Sequence, residues 1–168
     1  MKVLAIDAST KSTGVAILED NNLIHYELFT NNSKNTLDRI QFMTDEIEQF
    51  YLEYLPDSIV IEEIIPDNLN EVKWSCNQNT FKALSYLQAS ILLMFNKYQK
   101  TVKLIGATSW RKICGIQQGK ATREVLKARD KEFVKEKYNI NVNDDIADAI
   151  CIGYAELHNN TPKPFNWA

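Results

Sequence analysis

The feature that most limits what this 168-residue chain can fold into lies near its end, in Asp144-Asp145-Ile146-Ala147-Asp148-Ala149-Ile150-Cys151-Ile152. Asn143 is a ready cap, and residues 144–157 follow helical spacing. The helix is apolar nearly all round, so it should be buried. Asp144 and Asp145 suit the first turn, where acids meet the positive end of the helix dipole. Asp148 lies beyond that turn, three residues from Asp145 and therefore on its face. A buried carboxylate costs several kcal/mol unless a partner or a metal compensates it. His25 and His158 are poorly placed to do so, and no Lys or Arg occurs between Tyr138 and Lys163. A divalent cation is the natural candidate.

The rest of the chain alternates short strands with helices. Residues 3–6 form an apolar run read as a buried strand, followed by the turn-forming Ser9, Thr10, Ser12, Thr13 and Gly14. Residues 15–18 resume as a strand that Glu19-Asp20-Asn21-Asn22 breaks, and Ile24, Tyr26 and Leu28 alternate along a third. Asn35 caps a helix, with Asp38 at the capping-box position and Leu37, Ile40, Met43, Ile47, Phe50 and Tyr54 at helical spacing. Pro56-Asp57 ends it, and residues 58–63 form a fourth strand. A polar stretch over 66–80 precedes a long apolar helix through Leu84, Leu87, Ile91 and Phe95; residues 102–105 make a fifth strand. Thr108-Ser109 is expected to cap a short helix holding Trp110, Arg111 and Lys112, and residues 120–138 to form a basic helix. This pattern predicts an α/β fold, a five-stranded mixed sheet flanked by helices. With no internal repeat and no dividing linker, residues 1–168 are expected to be a single domain.

Two strands end in acids. Asp7 and Glu62 stand at the carboxyl ends of otherwise apolar strands, the edge where open α/β sheets bind ligands. Alternation puts Glu62 and Glu63 on opposite faces, so only one can join Asp7. A site of carboxylates without His or Cys favours Mg²⁺ or Mn²⁺ over zinc. Two such ions about 4 Å apart can drive phosphodiester hydrolysis.

The net charge is -3, which argues against a nucleic-acid partner until its distribution is seen. Residues 97–137 hold twelve Lys or Arg against four acids, a balance of +8; elsewhere seven bases face eighteen acids, or -11. Lys120, Arg123 and Lys127, at helical spacing, either line an exposed helix face or hold a phosphate backbone; the residues leave both open. Cys76, Cys114 and Cys151 form no Cys-x-x-Cys pair and read as incidental thiols in a reducing compartment. No apolar run is long enough to span a membrane, and the start turns acidic too early for an export signal.

Three segments together resemble the RuvC-type Holliday junction resolvases of the RNase H-like superfamily. These are Ile6-Asp7 with a Ser/Thr turn and Gly14, then Pro56-Asp57-x-x-x-Ile61-Glu62, then Asp145-x-x-Asp148-Ala149. Ser109-Trp110-Arg111-Lys112 with Gly115-Ile116 resembles the smaller phage and poxvirus branch. The resemblance implies an RNase H-like fold and a catalytic, metal-binding set of Asp7, Glu62, Asp145 and Asp148, with Glu63 as fallback for Glu62. It implies two Mg²⁺ ions per site, Mn²⁺ substituting, and no small-molecule cofactor. A homodimer would nick opposed strands of a four-way junction or other branched DNA, leaving 5'-phosphate and 3'-hydroxyl ends, in the cytoplasm (the host's, if phage-encoded). Lys120, Arg123, Lys127, Arg111 and Lys112 are the expected DNA contacts. The chain departs from bacterial members at Ile65, where they carry an aromatic residue; the nearest aromatic here is Trp74.

Other classes fit less well. Actin-like kinases need a Gly-rich phosphate loop after the first Asp, where this chain has Ala8-Ser9-Thr10. Proofreading-type exonucleases place a Glu at the position of Ser9. An RNase H on RNA-DNA hybrids could use the same acids. A branched-DNA-binding module without cleavage would need the bases but not four acids.

Overall fold

The computed structural model describes residues 1–64 and 78–159, so Ile65, Trp74, Cys76, most of the polar stretch and the closing Thr161-Pro162-Lys163-Pro164 lie outside them. The five strands are β1 (Lys2–Asp7), β2 (Ser12–Glu19), β3 (Asn22–Thr30), β4 (Ser58–Glu62) and β5 (Val102–Ile105). They form one sheet in the order β3-β2-β1-β4-β5. β1, β2 and β3, joined by tight turns, pair antiparallel; β4 and β5, each reached through a helix, pair parallel. The sheet is therefore mixed, as the pattern predicts.

Alternation sorts the strand side chains into two cores. Leu4, Ile6, Val15, Ile17, Ile59 and Ile61 face one side, covered by α1 (Thr36–Tyr54) and α2 (Gln78–Lys97). Val3, Ala5, Ala16, Leu18 and Val60 face the other, covered by α3 (Ala107–Ile113), α4 (Arg123–Tyr138) and α5 (Asp144–His158). With both faces buried, β1 and β4 read as unbroken apolar runs. Asp7 and Glu62 fall on the α5 side, in phase with Ala5 and Val60.

Caps place most helix ends where the sequence puts them. The Asn35 side chain accepts from the Leu37 N–H at 2.9 Å, and that of Asn143 from the Ile146 N–H at 2.9 Å. Two starts differ. α3 begins after Gly106, leaving Thr108 and Ser109 inside it, where neither serves as N-cap. α4 begins at Arg123 because Thr122 is its cap, accepting from the Val125 N–H, while Gly119 holds the preceding turn at a φ of +49°. Lys120 therefore precedes the helix and does not share a helical face with Arg123 and Lys127.

Glycines let α5 lie directly on the sheet. A Cβ at Gly14 would stand 2.1 Å from the backbone oxygen of Asp145, and one at Gly153 would stand 2.3 Å from a Leu18 methyl. Gly14 pairs with Asp7 in the β1–β2 register, so the start of α5 is pressed against the strand end that carries Asp7. Among the described residues, no helix is long and apolar enough to cross a membrane.

Candidate active site

Three acids from three elements meet at the carboxyl edge of the sheet. Asp7 ends β1, Glu62 ends β4, and Asp148 projects from the second turn of α5; one carboxylate oxygen of each lies within 4.8 Å of the others. Glu63 is exposed, and its backbone N–H is bonded to Ile105, so Glu62 is the residue that shares a face with Asp7. Asp145 stands beside this group, its Oδ2 accepting the Ser12 hydroxyl at 2.5 Å.

Three of the four acids have a side-chain holder: Ser12 for Asp145, and others for Glu62 and Asp148. The Trp110 indole N–H donates to Glu62 Oε2 at 2.8 Å, and Trp110 is fully buried. The Arg111 guanidinium lies 4.2 Å from the Trp110 ring centroid and clasps the buried Asp130 as a fork, Nε to Oδ1 at 3.0 Å and Nη2 to Oδ2 at 2.8 Å. Lys127 reaches from α4 to pair with Asp148 Oδ2. Asp148 is 2% exposed, and its other oxygen, Oδ1, is buried with no hydrogen-bond partner among the described residues.

The electrostatics follow from crowding. Burial, then the charges of Asp148 and Glu62, push the Asp7 carboxyl well above the usual carboxylate range, against the pull of Lys127. Burial raises Asp148 to about 7, with Lys127 pulling the other way. Burial disfavours the charge on Lys127, but Asp148, Asp7 and Glu62 outweigh it and hold the ammonium above its ordinary value. The donor set is all oxygen, and one of its buried oxygens lacks a partner. Both properties fit a hard divalent cation.

The expected DNA contacts divide. Arg111 is buried in its pair with Asp130, and Lys127 belongs to the carboxylate cluster; neither presents an open charge. Lys112, Lys120 and Arg123 are exposed and make no ion pair among the described residues. Five of the twelve bases in residues 97–137 (Lys97, Lys103, Arg111, Lys127 and Lys131) pair with acids. Much of the charge asymmetry is thus complementarity within the fold. Asp148 does have positive compensation, contrary to the reading of its own helix, because the lysine comes from α4. The role of Trp110 has no signal beyond its place in a short helix, whereas Ser12, read from sequence as turn chemistry or as a positioning hydroxyl, opens β2 and positions Asp145.

No protein-family model matches the chain. It is 29% identical over 161 residues to the crossover junction endodeoxyribonuclease RuvC of Dictyoglomus thermophilum, covering 92% of this chain and 96% of the relative. It is 28% identical over 173 residues to the same-named protein of Finegoldia magna, covering 99% and 98%. Its fold matches T. thermophilus RuvC, solved in complex with a Holliday junction substrate, at a TM-score of 0.78 and 13% identity, over 98% of this chain and all of that one. The chain is thus similar in sequence to bacterial RuvC proteins along nearly its whole length and shares the RNase H-like fold.

Proposed function

We propose that this protein is a metal-dependent endonuclease that resolves Holliday junctions and other branched DNA by nicking opposed strands. The observation that carries this reading is the convergence of Asp7, Glu62 and Asp148 within 4.8 Å at the sheet edge, with Asp145 beside them. Asp7, Glu62, Asp145 and Asp148 would hold two Mg²⁺ ions per site, Mn²⁺ substituting. When bound, the ions would supply an activated water and charge stabilisation for phosphodiester hydrolysis, leaving 5'-phosphate and 3'-hydroxyl ends. The chain's own groups supply the order. Trp110 fixes one Glu62 oxygen, Ser12 fixes Asp145, and the parallel pairing of β1 with β4 sets the strand ends that carry Asp7 and Glu62 side by side. Lys112, Lys120 and Arg123 remain as exposed charges for the phosphate backbone.

The similarity to RuvC proteins along nearly the whole chain supports the four-way junction as substrate. Nicking opposed strands of a junction calls for two sites, so the reading takes a homodimer as the working unit, with the cytoplasm as its place. Residues 1–168 would act as a single nuclease domain. The Ser109-Trp110-Arg111-Lys112 segment favours the smaller phage and poxvirus branch.

A Mg²⁺ titration with a labelled four-way junction tests the reading. Paired nicks that need Mg²⁺ and vanish in Asp7→Asn, with junction affinity retained, are expected. Binding without nicks at any Mg²⁺ concentration would assign the protein to the non-cleaving class, and nicking of RNA-DNA hybrid alone would make it an RNase H.

A further inference from the structure

Two lysines pair with buried acids beneath this sheet, in different surroundings. Lys103 meets Glu156, whose same oxygen also accepts the Ser58 hydroxyl at 2.8 Å; this is a closed structural pair. Lys127 instead meets an acid with a second oxygen that is buried and, among the described residues, unpartnered. Asp7 and Glu62 crowd the same point, and their charges, like that of Asp148, attract the Lys127 ammonium. The lysine thus draws on the same three carboxylates that a divalent cation would need. A cation on those oxygens and an ammonium on one of them repel each other, so the two compete. The Lys127 side chain is 17% exposed, which leaves it a path outward, and the exposed Arg123 lies one turn earlier on the same helix face.

We propose that Lys127 is a built-in counter-ion: it keeps the acidic cluster assembled before metal is loaded, yields Asp148 Oδ2 to an incoming divalent cation, and then turns its ammonium to a DNA backbone phosphate. Only the last clause rests on the nuclease reading. The exchange gives the pair a purpose that a structural ion pair lacks. Without a counter-ion the metal-free fold would hold several carboxylates in one crowded pocket with no opposing charge. With a permanent one, cation loading would always be opposed.

The first two clauses are tested on the full chain without DNA. Lys127→Met keeps the length of the side chain and removes its charge. This variant is expected to melt below wild type in EDTA, yet to bind Mn²⁺ roughly tenfold more tightly by calorimetry. Equal or weaker Mn²⁺ binding by the variant would overturn the proposal, since it would mean that lysine and cation do not compete. Wild type gives a second readout that needs no variant to fold. Lys127 is expected to resist amine acylation in EDTA and to react faster when Mn²⁺ is added, read peptide by peptide by mass spectrometry; unchanged reactivity would overturn the exchange. The last clause is tested with Ca²⁺, under which Lys127→Met should weaken junction binding while leaving it unchanged in EDTA. Equal loss in both conditions would overturn the release of the ammonium towards DNA. Loss of nicking in wild type alongside normal Mn²⁺ competition would strike the nuclease reading and leave the counter-ion standing.

Discussion

Asp7→Asn is expected to make the metal-free protein more stable while removing its proposed activity. The ligand oxygens of Asp7, Glu62 and Asp148 lie within 4.8 Å of one another. Two unit charges at that distance repel by roughly 3–4 kcal/mol at an effective dielectric constant near 20. Asp7 faces two such neighbours, and Lys127 offsets about one of them, so its neutral isostere should gain on the order of 3 kcal/mol. For a chain of this size that corresponds to a rise in Tm of roughly 6–12 °C. The sign with pH is fixed by the direction of the shifts. Asp7 and Asp148 both have raised pKa values when folded, so the folded state binds more protons than the unfolded one. Stability in EDTA is therefore full below the ordinary carboxylate range and is lost as pH rises through about 7, where Asp148 titrates. Melting curves in EDTA should show a clear advantage for Asp7→Asn at pH 8 and little difference near pH 5. Saturating Mn²⁺ should reverse the order, because the cation removes the repulsion in wild type and the variant has lost a ligand. A variant that melts below wild type at pH 8 in EDTA, or an advantage that does not change with pH, would refute the electrostatic account.

Other perturbations probe the groups around the cluster. Arg111→Met should cost about 3–5 kcal/mol by urea denaturation, since it leaves Asp130 charged and fully buried, and a double exchange of Arg111 and Asp130 for apolar residues should recover most of it; a silent single variant would show that the pair does not stabilise the fold. Trp110→Phe keeps the ring packing and removes the donor to Glu62, so Mn²⁺ affinity should fall by roughly 10–100-fold with little change in Tm. Gly14→Ala pushes a methyl into the Asp145 backbone and should cost about 1–3 kcal/mol together with most nicking activity, read by melting and by the junction assay. Replacing Lys120 and Arg123 together should weaken junction binding and flatten its dependence on salt, with no effect on Mn²⁺ binding.

The strands and most helix ends are legible because local rules set them. Alternation places Asp7 and Glu62 on one face, and Asn35 and Asn143 cap the helices they precede. The starts of α3 and α4 are missed where several candidate caps stand close together and tertiary contacts choose between them. Thr122 wins at α4 after a turn that Gly119 makes possible, and this removes Lys120 from the helix. The acids are legible by residue type and position, but not their partners. Asp148 looks uncompensated along α5 because Lys127 is 21 residues earlier and arrives only when α4 packs on α5. Arg111 looks available for DNA because its basic neighbours are exposed, yet Asp130, one of the few acids in that region, buries it. Such pairings depend on which helix faces meet, and hydrophobic spacing does not encode that for charged residues.

The holders of the site differ in charge, and the difference matters more than their number. Ser12 and Trp110 are neutral donors. They fix one oxygen of Asp145 and one of Glu62 without cancelling the negative charge that a cation needs. The neutral Trp110 is held in place from behind: Arg111 lies against its ring while the guanidinium fork is itself held by Asp130. Placing that guanidinium directly on Glu62 would have neutralised a cation ligand permanently. Among the described residues, Lys127 is the one positive group bonded to the acidic cluster itself, and it sits on the acid whose second oxygen has no partner. A fold that fixes two acids with neutral donors and a third with a flexible side chain of four methylenes keeps its negative charge intact at every position but one. That position is where a cation has a competitor to displace, so the same lysine that holds the metal-free cluster together also sets how readily the site is loaded.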